Sequence, residues 1–240
     1  MRLIAAFLLL SACSVAPAGV TVHDPYENQN RRVHAFNKAI DAQLSGQFGG
    51  GGPDSPEVAE LKQTVVNFAD NAALPGMVLN GLLQGDVGGA ATNTMRFLLN
   101  TTIGVGGLLD PAGAVGLLEQ ETDFGETLAV WGVPEGAYLE LPILGPSTER
   151  ALAGRIVDFV IDPLDRYGTQ PQIEYGFPAG LAARVVKRGQ VGATVDSVLN
   201  ESADSYAQLR LIYLQNRRFE LGTTPQEDSV DPYEDLFGGN

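Results

Sequence analysis

Leu10-Ser11-Ala12-Cys13 places the only cysteine directly after an apolar run and two small residues, an arrangement that specifies covalent chemistry. Arg2 precedes Leu3 to Leu10, which holds no polar residue and reads as a secretory signal. The run falls far short of the ~20 apolar residues a spanning helix needs, so it is expected to be removed rather than kept as an anchor. The Leu-small-small-Cys ending resembles the bacterial lipobox. There the thiol takes a diacylglycerol, the chain is cut before the cysteine, and the new amine is acylated. Residues 1–12 would then be signal peptide and Cys13 the first mature residue. Several acyl chains, at about 0.8 kcal/mol per buried methylene, anchor almost irreversibly. The plain alternative is an ordinary signal peptide with an incidental cysteine. Ser14 follows where an aspartate is absent, which resembles the signal for the outer membrane.

The other reactive side chains assemble no catalytic pattern. His23 and His34 lie near the start of the mature chain, and no His/Cys/Asp/Glu cluster has metal-ligand spacing. There is no Gly-x-Ser-x-Gly elbow, and Gly104-Val105-Gly106 reaches Leu109 where a dinucleotide fingerprint needs glycine. The acid pairs Glu119/Glu121 and Asp162/Asp165 are flanked by loop signals and read as solvated. No metal and no cofactor is expected beyond the diacylglycerol and N-acyl chain on Cys13.

The elements that must carry these residues are mostly helical. A formal charge of -14 repels nucleic acid and anionic headgroups alike, so membrane contact beyond the acyl chains has to come from apolar surface. Residues 13–23 read as a lipidated tether, small and proline-containing. Asp24-Pro25-Tyr26-Glu27 reads as a capped helix start, followed by Tyr26, Val33, Phe36 and Ile40 on one face. Gly46 to Pro53 reads as a loop, Ser55-Pro56 as a second start with Val58, Leu61, Val65 and Phe68 sharing a stripe, and Leu74-Pro75-Gly76 as a turn. Helices are expected from Pro75 to Gln84, closed by Gly85, and from Asp86 to about Asn100.

Phe97 to Leu118 holds one charge, Asp110, in 22 residues. Its glycines and Pro111 argue against one spanning helix, because each glycine costs a helix roughly 1 kcal/mol and an interior proline about 3. Two short apolar helices joined by a glycine turn are expected, with Asp110-Pro111 starting the second. Such a hairpin suits either a buried core or one leaflet of a bilayer, and the core reading is preferred on residue pattern alone. Beyond it, Thr122 to Trp131 reads as helix, Tyr138 to Leu144 as extended, and a helix follows Ser147 with Leu152, Ile156, Phe159 and Val160 on one side. Leu164 to Phe177 reads as loop, then helices from Pro178 to about Asn200 and from Ser202 to Leu221. Residues 223–240, with five acids and no base, read as a disordered tail.

Ordered motifs then carry a resemblance. They include Asp24-Pro25-Tyr26-Glu27, Phe36-Asn37, Asn67-Phe68, Asn80 to Asp86, Arg96 to Thr101 and Gly104 to Gly107. Asp110-Pro111-Ala112, Asp123 to Leu128, Trp131-Gly132-Val133, Gly145 to Thr148 and Tyr213 to Arg218 follow. Over residues 24–222 the chain resembles the MlaA (VacJ) lipoprotein family. The resemblance implies a mainly α fold: a ring-like bundle of short amphipathic and apolar helices around a central amphipathic pore, embedded in one leaflet. It implies a lipid-anchored protein at the periplasmic face of the outer membrane that takes glycerophospholipids from the outer leaflet. These pass to a periplasmic carrier, MlaC, often with a trimeric porin bound. It also implies a gating role for Phe36 and Asn37, whose alternative is that Phe36 is simply a core residue. Gly132 and Gly136 take the place of a hinge, whose alternative is a plain turn around Pro134. Phe97, Leu98, Leu99, Ile103, Leu108 and Leu109 would contact the membrane, and Arg96 would meet a phosphate or an acid, the acid being preferred. Two other functions stand beside transport: a structural or adaptor lipoprotein recruiting a partner through an apolar groove, and a lipid hydrolase, disfavoured because no base and nucleophile pair is visible.

Overall fold

The computed structural model describes Ser14 and residues 21–48, 54–164, 168 and 170–222. Cys13, the signal segment 1–12, most of the tether and the acidic tail lie outside the described residues, so the lipidation and tail readings lie there too. The tether's described ends are both tied to the body. The Ser14 N–H and hydroxyl donate to Glu149 Oε2 at 2.6 and 2.8 Å, and the His23 carbonyl accepts from the Tyr138 N–H at 2.8 Å.

Helix α1 spans Glu27–Phe48, so the expected loop begins later than Gly46, and residues 49–53 lie outside the described set. The Asp24 capping reading is corrected. Its carboxylate accepts from Asn30 Nδ2 at 2.9 Å, from the Tyr206 hydroxyl and from Arg210, so it ties the start of α1 to residues 206–210 instead of closing a helix turn. Helix α2 runs unbroken over Pro56–Gln84, capped by Ser55 and ended by Gly85 in the left-handed region at φ +81°. Its 29 residues span roughly 43 Å at 1.5 Å each. The expected turn at Leu74-Pro75-Gly76 is therefore wrong. Proline removes one backbone donor and clashes with the preceding turn, but packing of α2 against the helices on either side outweighs that local cost.

Helix α3 (Val87–Thr102) begins on Asp86, and α4 (Pro111–Ala114) on Asp110, whose carboxylate accepts from the Gly113 N–H at 3.0 Å. Helix α5 (Phe124–Val130) is capped by Asp123. Strands β1 (Tyr138–Leu141) and β2 (Gly145–Thr148) form an antiparallel hairpin that pairs Tyr138 with Thr148 and Leu141 with Gly145. Helix α6 (Glu149–Ile161) starts on Thr148 and ends at Asp162. Helix α7 (Gln170–Gln190) begins inside the stretch read as loop up to Phe177, again with a proline, Pro178, carried inside a packed helix. A short helix α8 (Gly192–Asp196) and a π-helical turn (Ser197–Glu201) lead to α9 (Ser205–Glu220), capped by Asp204 rather than Ser202.

α2 packs against α3 on one side and α7 on the other, α5 against α6, and α1 against β1. The apolar core is divided into small clusters. Val66, Ala69 and Ala183 form one, Phe124, Leu128 and Ala153 a second, and Tyr138, Tyr206 and Leu214 a third.

Candidate functional site

The site follows from an inversion along α3. Asn93, Arg96 and Asn100 recur at three- and four-residue intervals, so they share one face of the helix, and all three are buried. Met95, Leu98 and, just past the end of the helix, Ile103 are half or more exposed. The preference for Phe97 to Leu118 as a buried core is thereby overturned. Leu108 and Leu109 are also exposed, Phe97 and Leu99 are half-buried, and Leu118 is 73% exposed. What fills the inside of this hairpin is amide chemistry. Asn93 donates to the Gln120 carbonyl at 2.8 Å and accepts its N–H at 3.0 Å, reproducing a strand-like pair. Asn100 donates to Asp110 at 2.8 Å and accepts from the Ala112 N–H at 3.1 Å. An asparagine offers one donor pair and one acceptor, which suits holding an irregular backbone whose own groups have no ladder partner.

Arg96 lies between two acids, with Asp110 at 3.2 Å and Glu119 at 3.9 Å, and donates to the Leu117 carbonyl. The acid alternative for Arg96 holds. Burial pushes the Asp110 carboxyl up, but the Gly113 N–H, Asn100 and Arg96 outweigh it and hold the group below its usual range. Glu119 goes the other way: burial and then the Asp70 charge push it up to about 7. Glu119 was read as solvated and is largely covered, with 18% of its side chain exposed.

Asn37 performs the same clamping at the β-hairpin. It donates to the Leu141 carbonyl at 2.9 Å and to Glu140 Oε1 at 3.2 Å, and accepts from the Ile143 N–H at 2.7 Å. Ile143 sits at φ +67°, a conformation that β-branched residues rarely adopt, and presents its side chain outward. Phe36 is 49% exposed, which removes the alternative that it is simply a core residue. Gly132 and Gly136 both lie in the left-handed region, at φ +85° and +78°. Only Gly136 is confined, since a Cβ there would meet Glu149 Oε2 at 2.6 Å.

Between α2, α6 and α7 lies a cavity of about 390 Å³. Ala72, Gly76, Phe159 and Phe177 give it apolar walls, and Asn80, Asp158, Gln172 and Arg184 place polar groups along them. Asp158 is engaged: it accepts from Asn80 Nδ2 at 2.8 Å and from the Phe124 N–H at 3.0 Å, and burial holds its carboxyl above the usual range in spite of both donors. Arg184 and its neighbour Arg155 escaped the sequence reading. Neither had a local signal, because Asp158 follows Arg155 at i+3 and Lys187 and Arg188 follow Arg184 at i+3 and i+4, so each reads as an ordinary charge on a helix. Among the described residues no group of three His, Cys, Asp or Glu side chains could hold a metal ion.

Fold and site define a class: a mainly helical protein with apolar residues turned outward and clamped polar residues turned inward. No helix among its described residues is long and apolar enough to cross a membrane. Residues 22–220 match the MlaA lipoprotein family, and the chain belongs to it. It is 30% identical over 205 residues to a protein of Escherichia coli strain K12 named intermembrane phospholipid transport system lipoprotein MlaA, covering 82% of this chain and 77% of that one. A Rickettsia felis protein is 35% identical over 190 residues, covering 79% and 74% respectively. Among solved structures, one described under "Structural basis for maintenance of bacterial outer membrane lipid asymmetry" matches with a TM-score of 0.67 at 28% identity. It covers 82% of this chain and 98% of that one.

Proposed function

We propose that this chain is an outer-membrane lipoprotein, held by acyl chains on Cys13 at the periplasmic face, that removes stray phospholipids from the outer leaflet. It would pass them to a periplasmic carrier of the MlaC kind and so maintain lipid asymmetry. One observation carries the reading: a single helix, α3, buries Asn93, Arg96 and Asn100 while exposing Leu98 at 50% and, past its end, Ile103 at 65%. In water, exposed apolar groups of this size contribute nothing to folding. In hydrocarbon the same arrangement is the favourable one, because unpaired polar groups there cost several kcal/mol each. The helices form a ring in one leaflet, and a polar-lined passage lets a headgroup move while its tails stay in lipid. No bond is made or broken, so the protein needs a path and not a nucleophile.

Phe36 and Asn37 act as the gate, with Asn37 tying α1 to the hairpin tip beside the passage. Gly132 and Gly136 allow the adjoining segment to move, Gly132 more freely because nothing lies within 4 Å of its missing Cβ. A trimeric porin is the expected neighbour in the membrane. Deleting the gene is expected to leave phospholipid in the outer leaflet, read by labelling of surface-accessible aminophospholipid in intact cells, and to sensitise the cells to detergent with chelator. Normal asymmetry in the deletion strain would sink the reading.

A further inference from the structure

We propose that Arg155 and Arg184 form a binding site for a phosphodiester anion, and that the α2/α6/α7 cavity takes the headgroup phosphate of a glycerophospholipid there. The inference rests on the transport reading and gives the passage a chemical recognition point. Apart from Arg155, Arg184 and the exposed Arg32, every described Lys and Arg in this acidic chain is spent on a carboxylate or a carbonyl. Arg31, Arg96, Arg188, Arg210, Arg217 and Arg218 all sit in ion pairs. Arg155 and Arg184 make no hydrogen bond or ion pair with any described residue, and Arg155 Nη1 is a buried donor without a partner. Leaving a charged donor buried and unsatisfied is costly, so such a group points to something that binds it.

The placement supports the pairing. Arg155 lies one turn before Asp158 and Phe159 on α6, and Arg184 one turn after Gly180 on α7; Asp158, Phe159, Gly180 and Arg184 itself line the cavity. The two guanidinium groups are close enough to repel: burial and then the Arg155 charge lower the pKa of Arg184. Two neighbouring like charges, neither in an ion pair with a described residue, suit a shared anion, and guanidinium matches phosphate oxygens in a bidentate fork. Asp158 on the same wall is turned to Asn80 and the Phe124 N–H. Phe159 and Phe177, with ring centroids 6.5 Å apart, give acyl chains an apolar surface at the cavity mouth.

The test uses the full-length protein in a neutral detergent, labelled with a photoactivatable phosphatidylglycerol and, as control, with the matching diacylglycerol that lacks the phosphate. R155Q/R184Q is expected to lower phosphatidylglycerol labelling roughly tenfold, the effect of losing charge-assisted contacts. Diacylglycerol labelling and the helical circular dichroism should stay unchanged, and R155K/R184K should restore much of the signal. Undiminished phosphatidylglycerol labelling of R155Q/R184Q would overturn the proposal. An equal fall in diacylglycerol labelling would too, by marking the arginines as packing groups. Inorganic phosphate supplies the second arm: stabilisation of the parent by phosphate, abolished in R155Q/R184Q and without any phosphatidylglycerol labelling of the parent, would assign a free anion and overturn the lipid source. Labelling in micelles does not depend on transport. Normal asymmetry in the deletion strain therefore removes the transport reading alone, whereas an asymmetry defect there together with undiminished labelling of R155Q/R184Q removes this site alone.

Discussion

Around Tyr138, Tyr206 and Leu214 the chain is ordered as the inside of a water-soluble protein is, whereas between Val87 and Leu118 that order is reversed. In the first region the three side chains are at most 2% exposed, Tyr138 and Tyr206 meet edge to face at 6.0 Å, and their hydroxyls donate to Glu140 and Asp24. In the second, Asn93, Arg96 and Asn100 are inside while Ile103, Val105, Val115 and Leu118 are each 65% exposed or more. The difference separates two sources of stability within one chain. The tyrosine cluster is held by exclusion of water and is indifferent to what surrounds the molecule. The α3–α4 hairpin is held internally by charge-assisted hydrogen bonds, and its apolar face gains only from a hydrocarbon environment.

Removing the central cation of the hairpin should therefore have the largest effect. Arg96→Met strips the cation from Asp110 and the donor from the Leu117 carbonyl, and breaking a buried ion pair on one side costs about 3–5 kcal/mol. Thermal unfolding in detergent measures it. Leu214→Ala is the counterpart in the tyrosine cluster, where Leu214 is 1% exposed, and should cost about 2–5 kcal/mol as a cavity opens. That loss should be the same in detergent and in water. A detergent-dependent loss for Leu214→Ala would erase the distinction between the regions.

The next effect sharpens the contrast through pH. Folded Glu119 keeps its proton up to about pH 7, while the unfolded carboxyl loses it near its ordinary value of 4.5. Between those values the native state binds more protons than the unfolded state, so stability falls as pH rises across that window. Glu119→Gln should abolish the fall: little change at pH 4 and a gain of up to about 3 kcal/mol at pH 8. Parallel stability curves for parent and variant from pH 4 to 8 would show that Glu119 is not held protonated.

Local chemistry made much of the fold legible in the sequence. Ser55, Asp86 and Asp110 cap the helices they were expected to start, the helix expected from Thr122 is capped one residue later by Asp123, and Gly85 ends α2 as read. Pro75 and Asp24 were misread for one reason: each has a local signature, and each is overruled by partners far away in the chain. The apolar stripes were legible as stripes but not as faces. Periodicity groups Val58 with Leu61, or Ile156 with Phe159, and says nothing about whether the group faces core or lipid; all four are exposed. Phe36, Asn37 and Arg96 were singled out through the family resemblance, and the structure gives Asn37 its contacts with the hairpin tip and Arg96 its acid partner. Arg155 and Arg184 were not, because their significance is that no acid answers them, a fact of three-dimensional pairing between α6 and α7.

The smallest stability effect is also the one that tests the comparison most directly. Ile103 and Leu118 project from the hairpin at 65% and 73% exposure, so in water they make few of the contacts that a core residue makes. Ile103→Ser with Leu118→Ser should change thermal stability in water by no more than about 0.5 kcal/mol, the usual range for surface substitutions. If the face lies in hydrocarbon, each serine instead places a hydroxyl where it must be desolvated, and partitioning of the protein into vesicles or detergent should fall. The measurement pairs unfolding in water with flotation on phospholipid vesicles, using a Cys13→Ala background so that acyl chains do not mask the effect. Lost stability in water with undiminished flotation would make the Phe97 to Leu118 hairpin a core that packs against some other part of the chain. Lost flotation with undiminished stability is what an apolar face built for lipid predicts, because the free energy it contributes is realised only against a bilayer.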